Sequence, residues 1–201
     1  MNSAAPAQRR CFATVFAVLA LGWMGLLGGG CASYSPQKNF ATLLEHAPTP
    51  RLVAPGREFV AADRYAQAHE REVAFAGVGS SMEPMYTTGT AIVVRQCEFD
   101  ALRKGQPVVY INRRGAFVAH MLLDNTPRGW TAIGVNNTEA DEDLVTPANL
   151  IGVIQEAFVA ADMPLHPQVA ARVALRDALE RGASLASAAG EHGAAGLGGS
   201  E

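Results

Sequence analysis

Apolar and polar positions along this chain fall into three regimes. Residues 12–27 (FATVFAVLALGWMGLL) form one unbroken apolar run, preceded by Arg9 and Arg10. From residue 74 the pattern changes to short β-rich runs: 91–95 (AIVVR), 107–111 (PVVYI), 116–123 (AFVAHMLL), 130–134 (WTAIG) and 150–159 (LIGVIQEAFV). Turn-forming segments such as Lys104-Gly105, 112–115 and 127–129 separate them. Short strands at this spacing predict a compact, mostly-β domain rather than βαβ units. Between the two regimes, 32–57 carries four prolines and no sustained period, so it reads as a tether or surface-hugging linker. Residues 58–73 lack Pro and Gly and are rich in Ala, Glu and Arg, which predicts a helix. A second helix is expected over 166–182, with Arg176–Glu180 and Asp177–Arg181 at i,i+4, although Arg172 and Arg176 interrupt its apolar stripe. The Ala/Gly/Ser-rich stretch 183–201 predicts a disordered tail. The plan is thus a targeting segment (1–31), a linker with a helix (32–73), a β domain (74–160), a C-terminal helix (161–182) and the tail.

Length and composition agree with one globular domain plus tails. The chain has 201 residues, 49% apolar and 17% charged, with a net charge of −3. Such a balance argues against a basic nucleic-acid groove, whose phosphate contacts need a cationic surface. It also excludes a fully disordered chain. Only one apolar run is long enough to span a bilayer, so a multi-pass membrane protein is excluded as well.

A basic start, an apolar stretch and then small residues make a secretory signal. The adjoining Gly-Gly-Gly-Cys31-Ala-Ser resembles a bacterial lipobox, with Gly28 where leucine is usual and Leu27 one position earlier. A lipidated Cys31, an uncleaved single anchor and a simple cleaved signal are the three readings. Each puts the rest of the chain outside the cytoplasm, in the cell envelope, and the first two hold it at the membrane. With Cys11 in the apolar run and Cys31 at the lipobox, Cys97 stands alone, so no internal disulfide framework exists. No basic residue lies closer to it in sequence than Arg95, and it reads as structural rather than reactive.

The segment Gly77-Val-Gly-Ser-Ser-Met-Glu-Pro-Met85 is the most informative. Glycines free the backbone, Pro84 fixes a turn, and two hydroxyls sit on the connection before the 91–95 strand. A nucleophilic serine needs such a place: out of the ladder, on a rigid turn, with backbone N–H groups free for an oxyanion. Further along the chain come, in order, Gly89-Thr-Ala-Ile-Val-Val, Lys104-Gly-Gln-Pro-Val-Val-Tyr, Val118-Ala-His120, Gly134-Val-Asn-Asn137 with nearby acids, and Leu150-Ile-Gly-Val-Ile. Over residues 74–156 this series resembles the signal peptidase I family and, more broadly, the serine peptidases related to LexA-type self-cleaving repressors. The resemblance implies a coiled β-sheet peptidase domain with flanking helices.

Residue by residue, it assigns Ser81 as nucleophile and His120 as general base, as in the histidine-type enzymes. A histidine base has a free pKa near ~6.5, suited to accepting a proton at neutral pH. Asp141 would orient the imidazole, with Asp143 nearly as good a match. Ser80 and Met82 flank the nucleophile as oxyanion or substrate-binding positions, the main oxyanion donor being the Ser81 N–H. Lys104 falls at a turn position that is not the catalytic one, so no serine–lysine pair is expected. The chain departs from the family at Gly79, Thr90, Gln106, Met121 and Val135. The resemblance further implies a polypeptide substrate bound in extended form, small residues beside the cleavage site, and no cofactor.

The remaining histidines are scattered without ligand spacing, and no metal site is expected. The rival reading is a non-catalytic lipoprotein that uses the same fold as a peptide-binding or assembly module. Geometry separates the two: a peptidase needs Ser81 Oγ within hydrogen-bond reach of a His120 nitrogen. Oligomeric state is not legible.

Overall fold

The computed structural model describes residues 34–194, all of which fall in one compact unit. The targeting segment with Cys11 and Cys31, and the last residues of the tail, lie outside the described residues. Among the described residues the fold is mostly β: a seven-stranded sheet with three α-helices, not closed into a barrel.

Strands β2 (Glu72–Ala76), β3 (Ala91–Arg95), β7 (Leu150–Ala160), β4 (Pro107–Ile111), β5 (Phe117–Thr126) and β6 (Gly129–Ile133) lie side by side in that order, every neighbouring pair antiparallel. The short β1 (Arg51–Val53) adds in parallel to the end of β7. Strands β3 and β4 are continuous apolar runs because nearly all their residues are buried, which a half-solvated alternating strand would not allow. The long β7 bends twice, with register shifts opposite Val93/Val94 and Val109/Tyr110. At the bend it carries Gly152, where a Cβ would overlap the Arg95 carbonyl.

Three expectations are corrected. First, 32–57 is not a tether. Ser35 caps helix α1 (Pro36–His46) by accepting the Lys38 N–H, and Pro36 occupies its first turn, where a missing N–H costs nothing. Phe40 and Leu43, three apart on one face, are buried in the main core, the cluster that also holds Met121, Ile133 and Ile154. Pro48, Pro50 and Pro55 come after α1 and flank β1, so the prolines punctuate structure rather than mark its absence. The β domain therefore does not begin at residue 74. Second, the 58–73 helix is shorter. Helix α2 covers Glu58–Gln67, Arg71 turns the chain with φ 64°, and Glu72 already starts β2, drawn into the sheet by pairing with Arg95 of β3.

Third, helix α3 runs from Pro167 to Ala194, past Gly182 into the stretch expected to be disordered. Alanine has the highest helix propensity, and this stretch is rich in it. The two arginines that spoil the α3 stripe turn inward. Arg172 donates to the Leu44 and Ala47 carbonyls, and Arg176 to those of Thr49 and Pro50. They satisfy carbonyls at and just beyond the end of α1, a task their long stems and forked donors suit.

Candidate active site

The turn that carries Ser81 is held from below and from the side. Met82, Met85 and Tyr86 bury in the main core, and the Glu83 N–H donates to the Ser80 carbonyl at 3.1 Å. From the side, the Asn136 N–H donates to the Ser81 carbonyl at 2.8 Å, and Asn136 Nδ2 reaches the Ser80 carbonyl at 3.4 Å. The Ser81 N–H has no acceptor among the described residues.

His120 lies on β5, opposite Val108 of β4, and is 8% exposed. Its Nε2 is 3.0 Å from Ser81 Oγ, and its Nδ1 is 2.6 Å from Asp141 Oδ2. A carboxylate only accepts, so Nδ1 carries the proton and Nε2 presents its lone pair to the serine hydroxyl. Asp141 is fixed in turn. Its N–H donates to the Ala132 carbonyl at 2.8 Å, and the Tyr110 hydroxyl donates to Oδ2 at 2.7 Å. Burial first, and then this bond, raises the Tyr110 phenol above its ordinary range, so it stays a donor.

Ser81, His120 and Asp141, expected from sequence, thus form one continuous hydrogen-bonded chain. Asp143 does not join it: its carboxylate accepts the Arg113 N–H at 3.0 Å, while the Arg113 guanidinium bonds Glu142. Ser80 is exposed and contributes its carbonyl to the turn. Met82 is a core residue whose side chain also floors the groove beside the serine.

Sequence reasoning did not assign Tyr110, Gly134 or Asn39. Tyr110 was legible in principle, because it alternates with Val108 on the strand that pairs with the histidine strand. Gly134 supplies space. A Cβ there would lie 2.7 Å from Asn137 Nδ2, 2.8 Å from Ser81 Cβ and 2.9 Å from His120 Nε2. Asn39 lies 96 positions from its partner, and no local pattern marks it.

A groove of about 520 Å³ opens beside Ser81 and His120. One wall is the end of β2 with Gly77–Gly79, the other is Phe117–Ala119, and Ile92 and Val109 line the space between. The walls belong to strands that are not neighbours in the sheet, yet Phe75 and Phe117 approach to 5.3 Å between ring centroids. The sheet therefore coils enough to bring β2 and β5 to opposite sides of one cleft. Among the described residues, strand β2 pairs only with β3, and residues 117–120 pair only with β4, because β6 begins its pairing at Met121. Both walls thus present backbone without a strand partner.

Among the described residues no group of His, Cys, Asp and Glu is placed to hold a metal ion, and no helix is long and apolar enough to cross a membrane. Cys97 is half-buried, and that burial raises its thiol above the ordinary range. No protein-family model matches the chain, and no curated protein matches it.

Proposed function

We propose that this chain is a serine endopeptidase of the signal-peptidase type, with the coiled sheet of that family and of the LexA-type repressors. The observation that carries the reading is the chain Ser81 Oγ–His120–Asp141, with both hydrogen bonds at 3.0 Å or less. Its geometry suits acyl transfer. His120 Nε2 accepts the hydroxyl proton as Ser81 Oγ attacks the scissile carbonyl, and the resulting imidazolium rests against Asp141. The Ser81 N–H takes the developing oxyanion. The proton on Nε2 then passes to the departing amine. Water enters by the same route in reverse, His120 now taking its proton, and releases the acid product.

The groove supports an extended polypeptide substrate. A strand laid between residues 75–79 and 117–119 finds free backbone on both sides, the mode in which main-chain bonds supply affinity and side-chain pockets supply selectivity. In this reading the protein works in the cell envelope, held at the membrane through a lipid on Cys31 or an N-terminal anchor. Since α1 starts at Pro36 and packs into the core, the segment after Cys31 does not give the site a long reach from its anchor.

The test is cleavage of an extended-peptide library by the purified chain, compared with Ser81→Ala and His120→Ala. Cleavage lost in both variants supports the reading. Binding of peptides without any turnover, equal in all three proteins, replaces it with the non-catalytic module.

A further inference from the structure

Helix α1 lies outside the stretch that resembles a peptidase, yet one of its side chains reaches the site's scaffold. Asn39 is among the few buried polar residues, and its Nδ2 donates to the Val135 carbonyl at 3.2 Å and the Asn137 carbonyl at 2.9 Å. These carbonyls belong to the turn 134–137, itself closed by the Asn137 N–H donating to the Gly134 carbonyl at 3.0 Å. That turn does two things for the nucleophile. Asn136 grips the Ser81 carbonyl, and Gly134 provides the gap in which Ser81 and His120 meet.

We propose that Asn39 is a positioning residue for the nucleophile, which makes α1 part of the catalytic architecture rather than a spacer. The inference rests on the peptidase reading. Both Asn39 donors are spent on carbonyls of one turn, so its side chain reads the position of that turn and of nothing else. Asp141 and His120 are anchored separately, through Tyr110 and the Ala132 carbonyl. Loosening Asn39 therefore displaces Ser81 relative to a base that stays where it is. The groove walls at Phe75 and Phe117 are untouched, so binding and chemistry separate. A misplacement of about 1 Å at a reacting group costs on the order of a hundredfold in rate.

The test uses a fluorophosphonate probe on the full chain, with the inactivation rate constant and the probe's half-saturation concentration measured separately. Asn39→Asp keeps the shape, removes the donors and sets an acceptor against two carbonyls; Asn39→Ala removes the group. Arg172→Met is the comparison, because Arg172 secures the far end of α1 without touching the turn. Both Asn39 variants are expected to inactivate about ten- to a hundredfold more slowly at unchanged half-saturation. Arg172→Met is expected to lower the melting temperature with little change in rate. A rate loss in Arg172→Met equal to that in the Asn39 variants overturns the proposal, leaving a merely structural helix.

Hydrogen exchange of the Asn136 amide decides the point without any chemistry. The amide is expected to be protected in the wild type and in Arg172→Met, and to lose protection in both Asn39 variants. Retained protection in Asn39→Asp overturns the positioning role. Absent labelling of the wild type, by contrast, overturns the peptidase reading and leaves the exchange result to stand by itself.

Discussion

Tyr110 donates its hydroxyl to the Asp141 oxygen that also faces His120, so one carboxylate oxygen serves both the base and its support. Apart from His120 itself, Tyr110 is the side chain that fixes this carboxylate's direction among the described residues. Tyr110→Phe keeps the ring and removes the donor. Hydrogen bonds to charged groups contribute about 1.5–3 kcal/mol. Chemical denaturation should show a loss of that order, and fluorophosphonate labelling of Ser81 should slow by roughly tenfold, since 1.4 kcal/mol is about a factor of ten. A variant that labels at the wild-type rate removes Tyr110 from the catalytic arrangement.

Gly134→Ala is the smallest change that should disable the site. The added methyl lies under 3 Å from Ser81 Cβ and His120 Nε2, so one of them must move. Overpacking of this kind costs about 1–3 kcal/mol in stability. Labelling should fall about a hundredfold if the hydroxyl and the base separate by about an ångström. Full labelling with intact stability would show that the neighbours yield without consequence.

Alkaline pH should destabilise the fold through two tyrosines. Burial raises the Tyr86 phenol, and burial with the Asp141 bond raises that of Tyr110. An unfolded phenol releases its proton near about pH 10, while the folded ones retain theirs. Above that pH the unfolded state binds fewer protons than the folded state, so stability falls as pH rises; below it, neither phenol contributes a slope. Denaturant titrations from pH 8 to 11 should show a decline that begins near about pH 10, approaching about 1.4 kcal/mol per pH unit for each phenol. Tyr86→Phe should make the decline about half as steep, leaving the Tyr110 share. A stability that is level through pH 11 contradicts the burial of these hydroxyls.

Cys97 should be inert at neutral pH. The thiolate is the reactive form, and burial disfavours it. Alkylation by iodoacetamide at pH 7 should be slower than for a free thiol, and its rate should still be rising with pH above about 8.5, where that of a free thiol levels off. Prompt labelling at pH 7 would reopen a reactive role.

Local and strongly ordered features were legible in the sequence. Strands β3 and β4 have the bounds read from their apolar runs, because residues buried on both faces leave an unbroken signal. Ser81 and His120 came from a series of motifs in order, and the fold brings them together from positions 39 residues apart. The choice between Asp141 and Asp143 was not readable, since both sit on one acidic turn. The Asp141 N–H bond to Ala132 and the Arg113 bond to Asp143 decide which carboxylate faces inward. Helix α1 was missed because its stripe is short and its prolines imitate a linker; it is buried in a core cluster whose other members, such as Met121 and Ile133, lie far along the chain. Arg172 and Arg176 looked like flaws in an amphipathic helix because their acceptors are carbonyls more than 120 positions away.

Intact-mass measurement of the full chain after fluorophosphonate treatment tests the Ser81–His120 pairing most directly. One covalent adduct is expected, mapped to Ser81 and forming about 10²- to 10⁴-fold more slowly in His120→Ala, the range that general base catalysis supplies. Labelling of Ser81 at the same rate in both proteins, or no adduct at all, contradicts it.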